Sequence, residues 1–223
     1  MDSNDILKNY GGFRKNSLLE KVNHTNIDED EPVIYEHSIY MGNEALLNTL
    51  KEKKKVFKVL ALNCQSLYAK YDQLSIYVDL LQEQGCSFDA ICLQETWLGD
   101  STDTGRLSIS GYNFISKPKT CSFHGGLAIY LKSGFHYRQL LGNLANFSTW
   151  EHQFLEILVD DQTKTKLVLG NIYRLPKETN SDYDDFMNEF DSIYQQIHHG
   201  SANIALFGDF NIDLLKIKEK NQM

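Results

Sequence analysis

Near the C-terminal end the chain reads Asn203-Ile204-Ala205-Leu206-Phe207-Gly208-Asp209-Phe210-Asn211, an apolar strand-like run that stops at a glycine and delivers a carboxylate and a carboxamide. Alternate strand residues point the same way, so Asp209 and Asn211 are expected to address one ligand together, with Gly208 letting the backbone turn or approach something closely. The pattern recurs upstream. The apolar run Phe88 to Leu93 ends at Gln94 and brings out Glu95, and a third run, Val56 to Leu62, ends at Asn63. Two strand ends thus offer acids, which is how an active site is commonly delivered and how acidic residues can hold a divalent cation.

Taken singly, each residue has a plainer reading. Asp209 and Asn211 could form a turn after a buried strand, Glu95 an exposed strand end, and Asn63 a loop or helix cap. Tyr173 and Trp97 have the composition of core aromatics, and Trp97 is assigned to packing. The histidines, His124 and His152 among them, show no metal-ligand spacing such as a pair at i and i+4.

The elements that must position these groups alternate. A helix is expected from Lys70 to Gln84, with Leu74, Tyr77, Val78 and Leu81 on one face and Gly85 as its stop. Strands are expected at Tyr112 to Ser116, Leu127 to Lys132, His136 to Leu140, Phe154 to Val159 and Leu167 to Tyr173. A second helix, N-capped by Ser181, carries the stripe Phe186, Phe190, Ile193 and Ile197. The succession implies sheet packed on sheet. With 223 residues, 42% of them hydrophobic, the chain can bury a substantial core in one domain. Residues 1–35 are polar and lack periodicity, as expected of a disordered tail. Residues 36–55 read as a short helix, Asn43 to Leu50, and a lysine-rich linker, Lys51 to Lys55, whose solvated character is favoured over polyanion binding.

The net charge of −8 argues against a protein that coats nucleic acid non-specifically, since cationic side chains supply most of that affinity. It does not argue against a nuclease, because a bound cation reverses the sign where a phosphate would sit. The four cysteines lack CxxC spacing, and no apolar stretch approaches a membrane span or a signal-peptide core. An intracellular, reducing setting without membrane attachment is expected, the nucleus following only from a role on chromosomal DNA.

Five motifs, in order, resemble the endonuclease/exonuclease/phosphatase superfamily, and within it the apurinic-endonuclease-like domain of non-LTR retrotransposons. They are Leu62-Asn63-Cys64-Gln65-Ser66-Leu67, Leu93-Gln94-Glu95-Thr96-Trp97-Leu98, Gly125-Gly126-Leu127-Ala128-Ile129-Tyr130, Asn171-Ile172-Tyr173-Arg174-Leu175-Pro176 and Gly208-Asp209-Phe210-Asn211-Ile212-Asp213. The resemblance implies a four-layer α/β sandwich, two packed mixed β-sheets flanked by helices, over residues 56–223. It implies hydrolysis of phosphodiester bonds in DNA with Mg²⁺, for which Mn²⁺ can substitute. By the same resemblance Glu95 binds the metal, and Asn63 orients groups around metal or phosphate. Tyr173 contacts the scissile phosphate, Asp209 orients or deprotonates the attacking water, and Asn211 stabilises developing charge.

Two departures follow from the comparison of motifs. Pro176 stands where apurinic endonucleases carry asparagine. The Ser-Asp-His motif of the family's last strands has no counterpart here, since the chain contains no Asp-His dipeptide. The domain is therefore expected to be incomplete, with an exposed sheet edge prone to association and with crippled catalysis. The alternative is a non-catalytic relic, or an incomplete reading of the gene, that only binds metal, nucleic acid or protein. A lipid or inositol phosphatase of the same superfamily fits the motifs less well.

Overall fold

A computed structural model describes residues 42–52, 56–119, 124–141, 147, 149–176, 180–198 and 203–212. The chain divides into two compact units, 1–54 and 55–223. The tail expected over residues 1–35, Lys53 to Lys55 of the lysine run, and Cys121 lie outside the described residues. Of the first unit, helix α1 (Asn43–Glu52) is described, with Glu44 in its first turn and Lys51 in its last, as the helix dipole favours.

In the second unit β1 (Val59–Asn63), α2 (Leu67–Glu83) and β2 (Ala90–Gln94) form a β-α-β unit in which β1 and β2 are parallel. Strands β3 (Tyr112–Lys117) and β4 (Leu127–Lys132) complete the first sheet in the order β1-β2-β4-β3. The second sheet, β5-β6-β7-β8, comprises β5 (His136–Leu140), β6 (Trp150–Asp160), β7 (Thr165–Arg174) and β8 (Asn203–Asp209), with β7 and β8 parallel and joined through α3 (Asn180–Ile197). Two mixed sheets of four strands and their helices make the α/β sandwich that the motifs imply.

The layers follow from period-2 alternation. Ala90 and Cys92 of β2, Ile129 and Leu131 of β4, and Leu155, Ile157 and Leu169 of the second sheet form the apolar layer between the sheets. On the opposite face of β2, Ile91 and Leu93 are equally buried, and α2 buries Leu67, Leu74, Val78 and Leu81. The stripe of α3, Phe186, Ile193 and Ile197, closes over Trp150, Phe154, Val168 and Ile172 of the second sheet.

Several element bounds differ from the periodicity. Helix α2 starts at Leu67, three residues before the expected Lys70, and Ser66 caps it, its side chain accepting from the Ala69 N–H at 3.4 Å. Helix α3 begins at Asn180, so Ser181 lies inside the first turn rather than at the cap position. Strand β6 begins at Trp150, four residues early, because Trp150 to Gln153 pair with Arg174 to Asn171 of β7. Cys64 and Cys92 are free, buried thiols, and Cys86 is buried. Among the described residues no helix is long and apolar enough to cross a membrane.

His152 is buried in that early part of β6, its ring against Trp150, Phe154 and Phe147. Its Nε2 has no hydrogen-bond partner. Burial, reinforced by the nearby Lys117 charge, pushes the imidazole down to about 4. The unfolded chain protonates His152 near pH 6.5, so stability falls as the pH drops from there to about 4, and the loss is complete below the folded value. This one group is expected to remove about 3 kcal/mol over that window. Denaturant unfolding at pH 6.5, 5.5 and 4.5 checks it: His152→Phe, which keeps a ring among the aromatics, should flatten the dependence relative to the native chain.

Candidate active site

The strand ends that sequence singled out meet at one end of the sandwich. The Asn63 amide, at the last residue of β1, donates from a single Nδ2 to both Glu95 Oε1 at 2.6 Å and Asp209 Oδ2 at 2.7 Å. Two carboxylates from different sheets thus share one donor. Asp209, the last residue of β8, pairs in register with Tyr173 of β7. The Tyr173 side chain is fully buried, and its phenol lies within the influence of the Glu95 and Asp209 charges. Burial first, then the charges of Glu95 and Asp209, push that phenol well above its ordinary value, so it stays protonated.

Asn211 is placed differently from the strand alternation. Strand β8 ends at Asp209, and Asn211 has φ 47°, in the left-handed region that asparagine tolerates. Its backbone N–H donates to Asp209 Oδ1 at 3.1 Å. Its side-chain amide donates to the Arg174 carbonyl at 2.7 Å, and Arg174 Nη1 returns a bond to the Asn211 carbonyl at 3.1 Å. Asn211 therefore fixes Asp209 through its backbone while its carboxamide is turned to the end of β7.

Glu95 is held by backbone on both sides. Beyond the ends of β1 and β2 the parallel ladder continues with Cys64 N–H to Gln94 O, Ser66 N–H to Glu95 O and Leu67 N–H to Thr96 O, at 2.9 to 3.0 Å. From the other side Thr96 N–H donates to Gly126 O at 3.0 Å and Trp97 N–H to Gly125 O at 2.9 Å. Glu95 and Trp97 have φ 53° and 58°. Left-handed backbone at such residues costs of order 1–3 kcal/mol and persists where its surroundings over-determine it, as this double clamp does.

Behind the clamp stands Glu151, which sequence reasoning passed over. It is buried, and its Oε2 accepts the Gly126 N–H at 2.5 Å. A Cβ at Gly125 would lie 2.7 Å from Glu151 Oε1, and one at Gly126 would lie 2.6 Å from Thr96 Oγ1. With φ of 94° and 83°, these two positions require glycine on both counts. Glu151 thus fixes Gly125-Gly126, whose carbonyls fix Thr96 and Trp97, the two residues that follow Glu95. Glu151→Ala should leave the buried Gly126 N–H without its acceptor, at a cost of about 1–3 kcal/mol. Amide hydrogen exchange should then accelerate at Gly126, Thr96 and Trp97 together, and Glu151→Gln, which keeps an acceptor oxygen, should restore most of the protection.

Two further groups complete the support. Asn171, fully buried on β7, donates to the carbonyls of Leu93 and Ala128 at 3.0 and 3.1 Å and accepts from Gln94 Nε2 at 2.6 Å. It ties the two sheets together next to Glu95 with its hydrogen-bonding capacity used. Lys117 Nζ donates to His152 O at 2.9 Å; burial lowers its pKa and the Glu151 charge opposes that.

Trp97, expected as packing, is instead 40% exposed, and its Nε1 donates to Glu95 Oε2 at 3.4 Å. His124 Nδ1 lies 4.0 Å from the same oxygen. Cys64, beside the site, donates its thiol to Gln94 O at 3.3 Å, and burial pushes it up to about 12. It is a protonated packing group with no nucleophilic character.

The donor set fits a hard divalent cation. Glu95 and Asp209 offer two carboxylates within hydrogen-bond reach of one atom, and Asn63 Oδ1 is a buried carbonyl oxygen with no hydrogen-bond partner. Among the described residues no group of three His, Cys, Asp or Glu side chains is placed to hold a metal ion. One or two carboxylates with water completing the shell is a donor pattern that suits hard divalent cations.

No protein-family model and no curated protein sequence matches the chain. Among solved structures, the catalytic domain of Xenopus laevis APE2 superimposes with a TM-score of 0.52 at 19% identity, over 70% of this chain and 58% of that one. The chain is similar to it in fold. The human Nocturnin catalytic domain with bound sulfate anion follows at TM-score 0.44 and 15% identity, covering 70% of this chain and 64% of that one. D. rerio TDP2 complexed with single strand DNA product has TM-score 0.48 and 13% identity over 74% and 64%. The chain spans less than two thirds of the length of each of these three.

Proposed function

We propose that the chain is a divalent-cation-dependent phosphodiesterase acting on DNA, of the apurinic-endonuclease-like type found in non-LTR retrotransposons. The observation that carries the reading is the Asn63 amide shared between Glu95 and Asp209, with the Tyr173 phenol within the influence of both charges. Glu95 and the Asn63 carbonyl would hold the cation, Mg²⁺ or Mn²⁺. When bound, it supplies charge neutralisation at a phosphate oxygen.

The remaining roles belong to the side chains. Asp209 is held at both oxygens, by Asn63 Nδ2 and by the Asn211 N–H, which leaves its free lone pairs aimed for a water proton. Tyr173, kept as a neutral phenol, would contact the scissile phosphate. Asn63 prevents the two carboxylates from repelling each other apart before ligand arrives. The DNA and retrotransposon assignment rests on Gln94-Glu95-Thr96-Trp97-Leu98 and Tyr173-Arg174. Residence in the nucleus would follow from such a substrate.

The test is conversion of supercoiled plasmid to the nicked circle in Mg²⁺, in EDTA, and with Glu95→Ala. Slow cleavage in Mg²⁺ that EDTA and Glu95→Ala both remove is expected, its rate held low by the lack of an Asp-His dipeptide in the sequence. The melting temperature, measured alongside, should rise with added Mg²⁺, by about 2.7 kcal/mol of stabilisation at a hundredfold excess over the dissociation constant. A Mg²⁺-dependent rise without nicking would assign the chain to the binding-only alternative, and neither response would refute a cation site.

A further inference from the structure

Trp97 is displayed rather than packed. Its neighbours Thr96 and Leu98 are each 1% exposed, while the indole between them is 40% exposed beside the carboxylate that the proposed chemistry needs. A bulky aromatic at φ 58° is unfavourable, and the backbone is nevertheless fixed there by the Trp97 N–H bond to Gly125 O. The indole N–H points at Glu95 Oε2. A second ring borders the same oxygen: His124 meets the Trp97 ring edge-to-face, centroids 6.2 Å apart at 64°, and its side chain is 57% exposed. The loop also receives a basic residue, since the Lys119 N–H donates to Leu98 O at 2.8 Å.

A flat, exposed π-surface one hydrogen bond from a phosphodiesterase carboxylate has a chemical counterpart. The groups attached on either side of a nucleic-acid phosphate are nucleosides, whose bases stack on aromatic side chains irrespective of sequence. Phosphate sugar contacts position a strand, but the sugar backbone alone offers nothing for an indole to cover. We propose that Trp97, with His124 on its flank, is a stacking platform for the nucleobase adjoining the scissile phosphodiester. This rests on the phosphodiesterase reading above and deepens it, giving a site that favours a base-bearing strand over a bare sugar-phosphate one.

The experiment compares two single-stranded oligodeoxynucleotides of equal length, one of thymidines and one in which a central run is replaced by abasic tetrahydrofuran residues. Binding is measured by fluorescence anisotropy in Ca²⁺ for the native chain, Trp97→Phe and Trp97→Leu. Both variants lose the indole N–H bond to Glu95, and only the second loses the ring face. The native chain and Trp97→Phe are expected to prefer the base-bearing strand by about tenfold, a preference that Trp97→Leu abolishes. Thymidine should also quench the indole emission of the native chain but not of Trp97→Phe, where the buried Trp150 is the remaining indole.

Discrimination retained by Trp97→Leu, or absent from the native chain, overturns the platform. If plasmid nicking in Mg²⁺ persists in that case, the phosphodiesterase reading stands without it. Failure of either strand to bind, together with absence of nicking, overturns both.

Discussion

Asp209→Asn is expected to cut Mg²⁺-dependent DNA cleavage by about a thousandfold, the loss characteristic of removing a general base, and to lower stability by about 1 kcal/mol through one lost hydrogen bond. Asp209 accepts from a nitrogen at each carboxylate oxygen, Asn63 Nδ2 on one side and the Asn211 N–H on the other. An amide in its place presents an NH₂ to one of those donors, so one of the two bonds is lost along with the charge and the proton-accepting capacity. The double variant Asn63→Asp with Asp209→Asn tests position. It restores an amide–carboxylate pair between β1 and β8 with reversed polarity but faces Glu95 with a second carboxylate where Asn63 had been a donor, so it should recover neither stability nor cleavage. Single-turnover rates on a nicked-product assay, beside melting curves for all three variants, decide the matter. Recovery of cleavage in the double variant would show that a carboxylate at either strand end suffices and would remove Asp209 from the role of base.

The convergence of Asn63, Glu95, Tyr173 and Asp209 was readable because each sits at the end of an apolar run, and strand ends on one side of packed sheets lie together. The sandwich was readable from the bounds of its strands: β4 and β5 run as the sequence assigns them, β4 as a nearly continuous apolar run that is buried and β5 as a polar run that is exposed. Legibility stops where a partner strand, rather than the local pattern, decides. β1 begins at Val59 because that is where β2 begins opposite it, at Ala90, and Asp89 Oδ2 takes the Lys58 N–H at 2.8 Å just outside. Glu151, His152 and Gln153 look like a polar loop and are buried in β6, since β7 continues to Arg174 alongside them.

The same limit explains what the site reading missed. Glu151 acts through the Gly126 N–H, a contact 25 residues away that no spacing rule encodes. The Asn211 carboxamide points to Arg174 because the chain has left the strand and turned left-handed, where the two-residue alternation no longer holds. Trp97 escapes the core through a positive φ that an apolar-residue count cannot register. One local signal was available in each loop: paired glycines at Gly125-Gly126, and an asparagine at position 211, both residue types that tolerate left-handed backbone.

Gly208→Ala is expected to be the most destabilising small substitution in the second sheet. The glycine does not turn the chain; it lies within β8, and the requirement is the close approach that its position before Asp209 suggests. A Cβ there would overlap the carbonyl oxygen of Ile172 and lie 2.8 Å from the carbonyl carbon, both backbone atoms of β7 that no rotamer change can move aside. The parallel ladder that pairs Gly208 with Ile172 and Asp209 with Tyr173 must open to admit it. The expected cost is about 4 kcal/mol or more, at the upper end for an overpacked interior, and corresponds to a melting temperature lower by about 10 °C. Gly134→Ala is the contrast. Its φ of 102° strains any side chain, but nothing lies within 4 Å of the added carbon, so a cost of about 1 kcal/mol is expected. Because opening the ladder at Gly208 also displaces Asp209 from Asn63, the first variant should lose DNA cleavage at temperatures well below its own melting point, whereas the second should lose it only on unfolding. Equal effects of the two would mean that β8 can slide away from β7 without strain, and that the Asp209 carboxylate is not held by the sheet.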